Sequence, residues 1–520
     1  MPRSLPPYLT EAQFDRALEN FSACVSREHV LQSVDELDAY RDPFSPGIST
    51  SASAAITPGS VEEIQAILRV ASVHQVPLWT VSTGRNFAYG GAAPRLPGAV
   101  ILDLKRLNRV IEVNEDLAYA LVEPGVTYFD LYAHIKGKGF KLWIDPPAPG
   151  WGSMVGNTLE RGFGYTPYGD HAAHQCGMEV VLANGELIRT GMGAMTDNSS
   201  WPLYKPGFGP SYDAMFMQSN FGIVTKMGIW LMPQPETSLL CTAKFHNESD
   251  LELIVDTLRP LRLNQIIQNN AVIEGPLRWA AGISTRDQWY DGDGAMPHDA
   301  IKAMIKKMGS GWWNLRFGLY GTAEIVDVNY RIVQKVFAKI PGAELNAKKY
   351  RHDEPAAGGD KLMTGIPNLA AFQMLDWRGG NGAHIDLSPI CPATGHDAVR
   401  QYQMVQTRAN ESGFDYYGGF TVGTRHLHHI FAAIFDRDNV KQCTQVDTLF
   451  KTLIDDIRQA GYGEYRSHLH YMNQVASQYD FNNHALMRMS EAIKDALDPA
   501  GILSPGKQGI WPKVFREFKQ

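Results

Sequence analysis

The chain has 520 residues, more than one ordinary domain holds, so two or three domains are expected. Hydrophobic residues make up 44% and charged ones 20%, a globular composition with ample material for a core. The formal net charge of −7, with no concentrated basic run, excludes nucleic acid as the main partner, and no segment approaches the roughly 18 consecutive apolar residues of a membrane span.

The opening stretch MPRSLPPYLTEAQF carries prolines and acids where an export signal would carry an apolar core, so a cytoplasmic location is expected. Cys24, Cys176, Cys241, Cys391 and Cys443 are scattered, odd in number and without C-x-x-C spacing, which predicts free thiols. From Thr57, TPGSVEEIQAILRVASVHQVPLWTVSTG reads as a helix and then a strand. Ser60 and Glu63 have capping-box spacing, and Ile64, Ile67, Leu68 and Ala71 recur at the helical period. The strand VPLWTVS runs into a glycine-rich loop, VSTGRNFAYGGAAP (Val81 to Pro94). GAVILDL, YALVEPG and GMEVVLANGELIRTG are further strands, and Asn184-Gly185 marks a hairpin turn. These elements predict an α+β domain over residues 1–236, ending at the prolines of LMPQPETS. Residues 237–461 alternate helices (DLELIVDTLRPLR, VNYRIVQKVFAKI) with strands (GAHIDLSPI, YYGGFTVGT). Residues 462–520 close with a helix and a proline- and glycine-rich tail.

A glycine-rich loop after a strand suggests a phosphate-bearing cofactor. Neither GRNFAYGG nor GWGSMVGN fits the dinucleotide fingerprint G-x-G-x-x-G, and no Walker motif is present. Successive backbone N–H groups in such a turn can still bind a pyrophosphate, but composition alone reads equally as a structural turn.

The full motif set is more specific. PLWTVSTGRNFAYGGAAP, ALVEPGVTYFDLY, VGNTLERGFGYTPYGDH, SNFGIVTKMGIWLMP and SPGKQGIWP follow one another in this order. Together they resemble the vanillyl-alcohol oxidase and p-cresol methylhydroxylase family of flavoproteins, its eugenol-oxidase-like members most closely, from about residue 5 to the C-terminus. The resemblance implies an FAD domain built from both chain ends and a central α/β cap domain with an antiparallel sheet. It places the FAD pyrophosphate on the loop of Ser82, Thr83, Gly84, Arg85 and Asn86. Gly156 and Asn157, then Gly222, Ile223 and Val224, and finally Lys507 are the other cofactor-binding positions it implies. His384, in GGNGAHIDLSP, matches the histidine bonded to the 8α carbon of the flavin, a link that makes the cofactor a stronger oxidant and points to the oxygen-using branch.

The substrate class implied is a para-substituted phenol, possibly syringyl types included, oxidised at the carbon attached to the ring with O2 as acceptor and H2O2 as product. That chemistry needs the ring oxygen as phenolate. A phenol of pKa near 10 costs about 4 kcal/mol to ionise at pH 7. Tyr89, Tyr465 and Arg466, the last two within GEYRSH, match the phenolate-binding trio, and Tyr165 matches a further pocket residue; Tyr168 is expected to be packing. A homodimer is the family-level expectation, with a cytochrome-coupled dehydrogenase and a non-catalytic flavin-binding protein as the alternatives.

The sequence also departs from the family. The run WIDPPAPGWGS keeps the first acid, Asp145, but has Ala148 where relatives place the aspartate that serves as active-site base, so Asp145 is a candidate substitute. Gly418 and Gly419, where relatives carry larger side chains, are expected to widen the ring pocket. In RHLHH, His426 and His428 share a strand face, but two imidazoles without a third ligand do not make a zinc site, and none is expected.

Overall fold

The computed structural model describes residues 4–519 apart from 48, 352, 353 and 355. Helix Val61–His74 buries Ile64, Ile67, Leu68 and Ala71, the residues the periodicity selects. Ser60 Oγ accepts the Glu63 N–H at 3.2 Å. The Glu63 carboxylate does not return to Ser60 as a capping box requires; it accepts the Gly59 N–H at 2.6 Å and pairs with Arg106. This helix crosses between strands Ala55–Ile56 and Leu78–Val81, which flank Val100–Asp103 in parallel. Val30–Leu31 completes a four-stranded sheet.

A five-stranded antiparallel sheet follows, ordered Val110–Asn114, Tyr119–Val122, Ile223–Trp230, Gln175–Val181, Leu187–Arg189. Its hairpin turns where Asn184-Gly185 predicts, with Gly185 at φ +87°.

From Thr237 the chain builds a nine-stranded sheet. Strand Thr237–Phe245 pairs along its whole length with Trp313–Gly321. Helices Leu251–Leu263, Ala323–Phe337, Gly395–Glu411 and Val440–Gln459 share one large apolar core with these strands. The two-residue side-chain period of strand Gly382–Leu387 separates two jobs. Ala383, Ile385 and Leu387 are buried in that core, while His384 and Asp386 point the other way and line a cavity.

The last segment ties the layers together. Gly463–Glu464 adds to the edge of the large sheet. Leu503 then bridges in parallel to Leu78, and the Thr80 N–H donates to Ser504 Oγ at 3.1 Å. Buried Lys494 donates to Asp498 and to the carbonyls of Asn220 and Leu503, each at 2.7 Å, so its charge is both paired and solvated by backbone. The architecture is α+β. All five cysteines are free, and no described helix is long and apolar enough to cross a membrane.

Candidate active site

The cavity lies between the N-terminal layers and the large sheet, and it is lined by Tyr89, Tyr165, Tyr465, Arg466, His384 and each cofactor-binding position the resemblance implies. Ser82, Thr83, Gly84, Arg85 and Asn86 form one wall. Gly84 adopts φ +67°, and a Cβ there would stand 2.8 Å from the Ala92 methyl. Arg85 donates to the Trp151 carbonyl at 3.1 Å and lies over its ring. Gly156 approaches this wall so closely that a Cβ would meet Ser82 Oγ at 2.3 Å. Asn157 anchors its side, accepting through Oδ1 from Tyr128 and facing His171 Nδ1 at 2.6 Å. Gly222, Ile223 and Val224 continue the lining from the start of their strand, and Lys507 closes it, its Nζ 2.6 Å from Glu160 Oε1. Burial alone would raise the Glu160 carboxyl, but Lys507, Arg466 and Gln508 hold it below the usual range, as a carboxylate.

The loop's tyrosine reaches a different neighbourhood. At Gly90, φ +109°, a Cβ would overlap Leu469, so the bare backbone lets the segment after Arg466 lie against the loop. Arg466 Cζ sits 4.2 Å over the Tyr89 ring, and its Nη2 donates to Asn86 Oδ1 at 2.9 Å. Its buried Nε has no hydrogen-bond partner among the described residues. Tyr89 Oη is 3.3 Å from Ser388 Oγ. Burial, reinforced by Asp386, raises the Tyr89 hydroxyl well above its ordinary pKa; burial also raises Tyr465 against the pull of Arg466. Both phenols are therefore donors beside a fixed cation, a set that suits an anionic oxygen.

His384 Nδ1 is 2.8 Å from Asp386 Oδ1, which leaves Nε2 as the free nitrogen. Tyr165 lines the cavity with Phe163 and Arg278. Tyr168 does not line it and stacks on His174, as packing.

Three further positions resolve differently from expectation. Asp145 faces away from the cavity: Oδ1 accepts the N–H groups of Tyr165 and Thr166 at 2.9 and 2.7 Å, and Oδ2 meets His171 Nε2 at 3.0 Å. With its oxygens engaged, it positions the Tyr165 segment and is no substitute base; Ala148 itself lines the cavity. Gly418 and Gly419 do not line it. A Cβ at Gly419 would stand 2.2 Å from the Ile273 carbonyl, and one at Gly418 would meet the Tyr416 ring at 2.5 Å, so strand crowding explains both. His428 packs on the rings of Tyr465 and Phe163, and burial pushes its pKa down to about 3.

Asp42, His468 and His470, which sequence reasoning did not select, bring possible ligand atoms within 4.8 Å of one another. His468 Nδ1 accepts the His470 N–H at 3.3 Å, and its Nε2 lies 3.0 Å from Asp42 Oδ2 without hydrogen-bond alignment. The group reads as a buried Asp–His clamp beside the Arg466 segment. Sequence reasoning also missed Arg278 and Asp386; the i, i+2 relation of Asp386 to His384 was the available signal.

An FAD molecule suits this cavity. Thr80 Oγ1, Ser219 Oγ, Asn220 Oδ1 and Arg466 Nε are buried around it without hydrogen-bond partners, and buried polar groups need partners. Two family models agree: an FAD binding domain over residues 52–191 and the C-terminal domain of FAD linked oxidases over 362–508. Fold and cavity thus define an FAD-dependent oxidoreductase. The chain is 40% identical to the 4-cresol dehydrogenase [hydroxylating] flavoprotein subunit of Pseudomonas putida, across 97% of both chains. It superposes on 4-ethylphenol oxidase from Gulosibacter chungangensis in its isoeugenol complex with TM-score 0.95 and 39% identity, covering 98% of this chain and 100% of that one. For p-cresol methylhydroxylase with substrate bound, the TM-score is 0.93 at 39% identity, over 98% and 99% of the two chains. The chain belongs to the vanillyl-alcohol oxidase and p-cresol methylhydroxylase family of flavin-dependent 4-alkylphenol oxidoreductases.

Proposed function

We propose that this protein is an oxidase of para-substituted phenols, with FAD bonded through His384 and O2 as the electron acceptor. The observation that carries the reading is the buried set of Arg466, Tyr89 and Tyr465 at one end of the FAD cavity. When bound, FAD supplies the two-electron acceptor for oxidation of the ring-attached carbon. The protein's part begins with ionisation. Arg466 stays charged despite burial, because Tyr89, Tyr465 and Glu160 surround it, and it lowers the cost of a phenolate at that point. Tyr89 and Tyr465, held protonated, donate to the same oxygen. Electrons pushed from the phenolate through the ring ease loss of a hydride, with its two electrons, from the carbon attached at the para position, and leave a neutral p-quinone methide.

The fate of that species depends on the wall that carries Ala148. No carboxylate faces the cavity from there, so attacking water has no general base at this position, a group typically worth about 10²–10⁴-fold. Proton loss from the next carbon then competes, giving alkenylphenol beside benzylic alcohol.

His384 supports the covalent link because Asp386 occupies Nδ1 and fixes Nε2 as the nucleophilic nitrogen. In the same reading, residues 1–236 and 462–520 form the FAD domain, 237–461 form the cap, and two copies associate as a homodimer. A second reading, electron transfer to a protein acceptor, is favoured by the identity to a chain named as a flavoprotein subunit. The test is to mix purified flavoprotein with 4-ethylphenol in air and compare peroxide release with the rate using ferricyanide or cytochrome c. Rapid stoichiometric peroxide supports the oxidase; slow oxygen use beside fast acceptor reduction supports the second reading.

A further inference from the structure

Apart from Arg85 and Lys507 on the cofactor-binding wall, the cavity holds a cation that phenol ionisation does not use. Arg278, on the short helix Pro276–Ala280, lines the same space as Arg466. Its Nε lies 3.2 Å from Glu274 Oε1. Glu274, however, is already gripped on both oxygens by Arg316, whose Nε and Nη2 donate at 3.1 and 3.0 Å. The two arginines share this one carboxylate, which Arg316 binds on both oxygens and Arg278 meets only at Nε. Asp386, whose charge also bears on Arg278, is committed to His384 Nδ1 at 2.8 Å. Among the described residues, Nη1 and Nη2 of Arg278 make no hydrogen bond, and the side chain is 21% exposed although Tyr165 and Tyr417 crowd it. Its Cζ stands 5.9 Å from the Tyr417 ring centre, just as Arg466 stands over Tyr89.

The two cations also act on different hydroxyls. Arg466 opposes burial at Tyr89 and Tyr465, whereas Arg278 does so at Tyr165 and Tyr417. Arg466 and Arg278 are therefore two separate cationic poles within the cavity. One meets the phenolate. The other presents the outer edge of a guanidinium, whose paired N–H groups match the two oxygens of a carboxylate, in a largely desolvated setting.

We propose that the free nitrogens of Arg278 bind a carboxylate on the para side chain, so that the preferred substrates are 4-hydroxyphenyl alkanoates held at both ends. The proposal rests on the phenol-oxidation reading for its first pole, and the test separates the two. Dithionite-reduced holoenzyme, which cannot turn over, is titrated in a calorimeter with 3-(4-hydroxyphenyl)propanoate, its methyl ester and 4-propylphenol. The acid should bind about 10- to 100-fold more tightly than the ester, the range expected of a charge-assisted pair. Arg278→Met should erase that ratio and Arg278→Lys should keep part of it. The ratio of kcat/KM for acid over ester should follow the same order.

An ester that binds as tightly as the acid overturns the proposal, whatever the variants do. So does an acid preference that survives intact in Arg278→Met. If that variant fails to fold, the wild-type acid and ester comparison decides alone. If no phenol is oxidised at all, the activity reading falls, while the calorimetric ratio still decides the Arg278 site.

Discussion

Replacing Arg466 with methionine removes the cation proposed to face the phenolate while keeping apolar volume over the Tyr89 ring. At pH 7 a free phenol lies about 3 units below its pKa, a deficit of about 4 kcal/mol. Arg466 is buried, its Nη2 on Asn86 and its Nε unpartnered, so it has donor capacity left for a ligand oxygen. A charged donor of this kind contributes about 2–3 kcal/mol. Its loss should lower the anaerobic flavin-reduction rate with 4-ethylphenol by about 30- to 150-fold at pH 7. The pH dependence carries the sign. The wild-type site depresses the pKa of the bound phenol, so its rate should be nearly flat from pH 7 to 10. In the variant that pKa returns toward 10, so the rate should climb with pH and the gap should narrow as the substrate ionises unaided. Stopped-flow reduction across this range is the assay. Equal pH profiles with a constant deficit, or an unchanged rate at pH 7, would refute the assignment of phenolate stabilisation to Arg466.

Wild-type protein should keep its flavin through acid precipitation and fluoresce in a denaturing gel, while His384→Ala should release it; free FAD from the unaltered protein would sink the covalent link. Ala148→Asp should shift 4-ethylphenol products from 4-vinylphenol toward the alcohol, with flavin reduction within a few-fold, as chromatography and stopped flow can check. Asp145→Asn should leave that product ratio in place and lower the melting temperature, because it weakens a carboxylate anchored by two N–H groups and His171. Gly419→Gln should destabilise the fold or prevent it, since its Cβ must enter the Ile273 carbonyl. A stable Gly419→Gln protein that rejects only syringyl phenols would contradict this placement.

How much of this was legible depends on the kind of signal. The loop residues Ser82 to Asn86 and the glycines Gly156 and Gly222 line one cavity, and bare backbone at a close approach leaves a local mark in sequence. The meeting of Tyr89 with Tyr465 and Arg466 joins segments nearly four hundred residues apart, and only the family motifs bridged that distance. Spacing misled at Asp145, which stands three residues from Ala148 but turns its carboxylate onto the backbone of Tyr165 and Thr166. The glycines at 418 and 419 show the same limit: a missing side chain reads alike whether it clears room for a ligand or for a neighbouring strand. Arg278 had no signal at all. It belongs to a five-residue helix and gains its meaning from Arg316, which satisfies Glu274 from another strand.

The most direct measurement compares 4-ethylphenol with 4-ethylanisole, its methyl ether, as anaerobic reductants of the bound flavin. The two share shape and para carbon, but only the phenol can ionise at the Arg466 pole. Rapid bleaching of the oxidised flavin by the phenol, with none by the anisole, is the predicted result. Bleaching by both at similar rates, or by neither, would contradict the account.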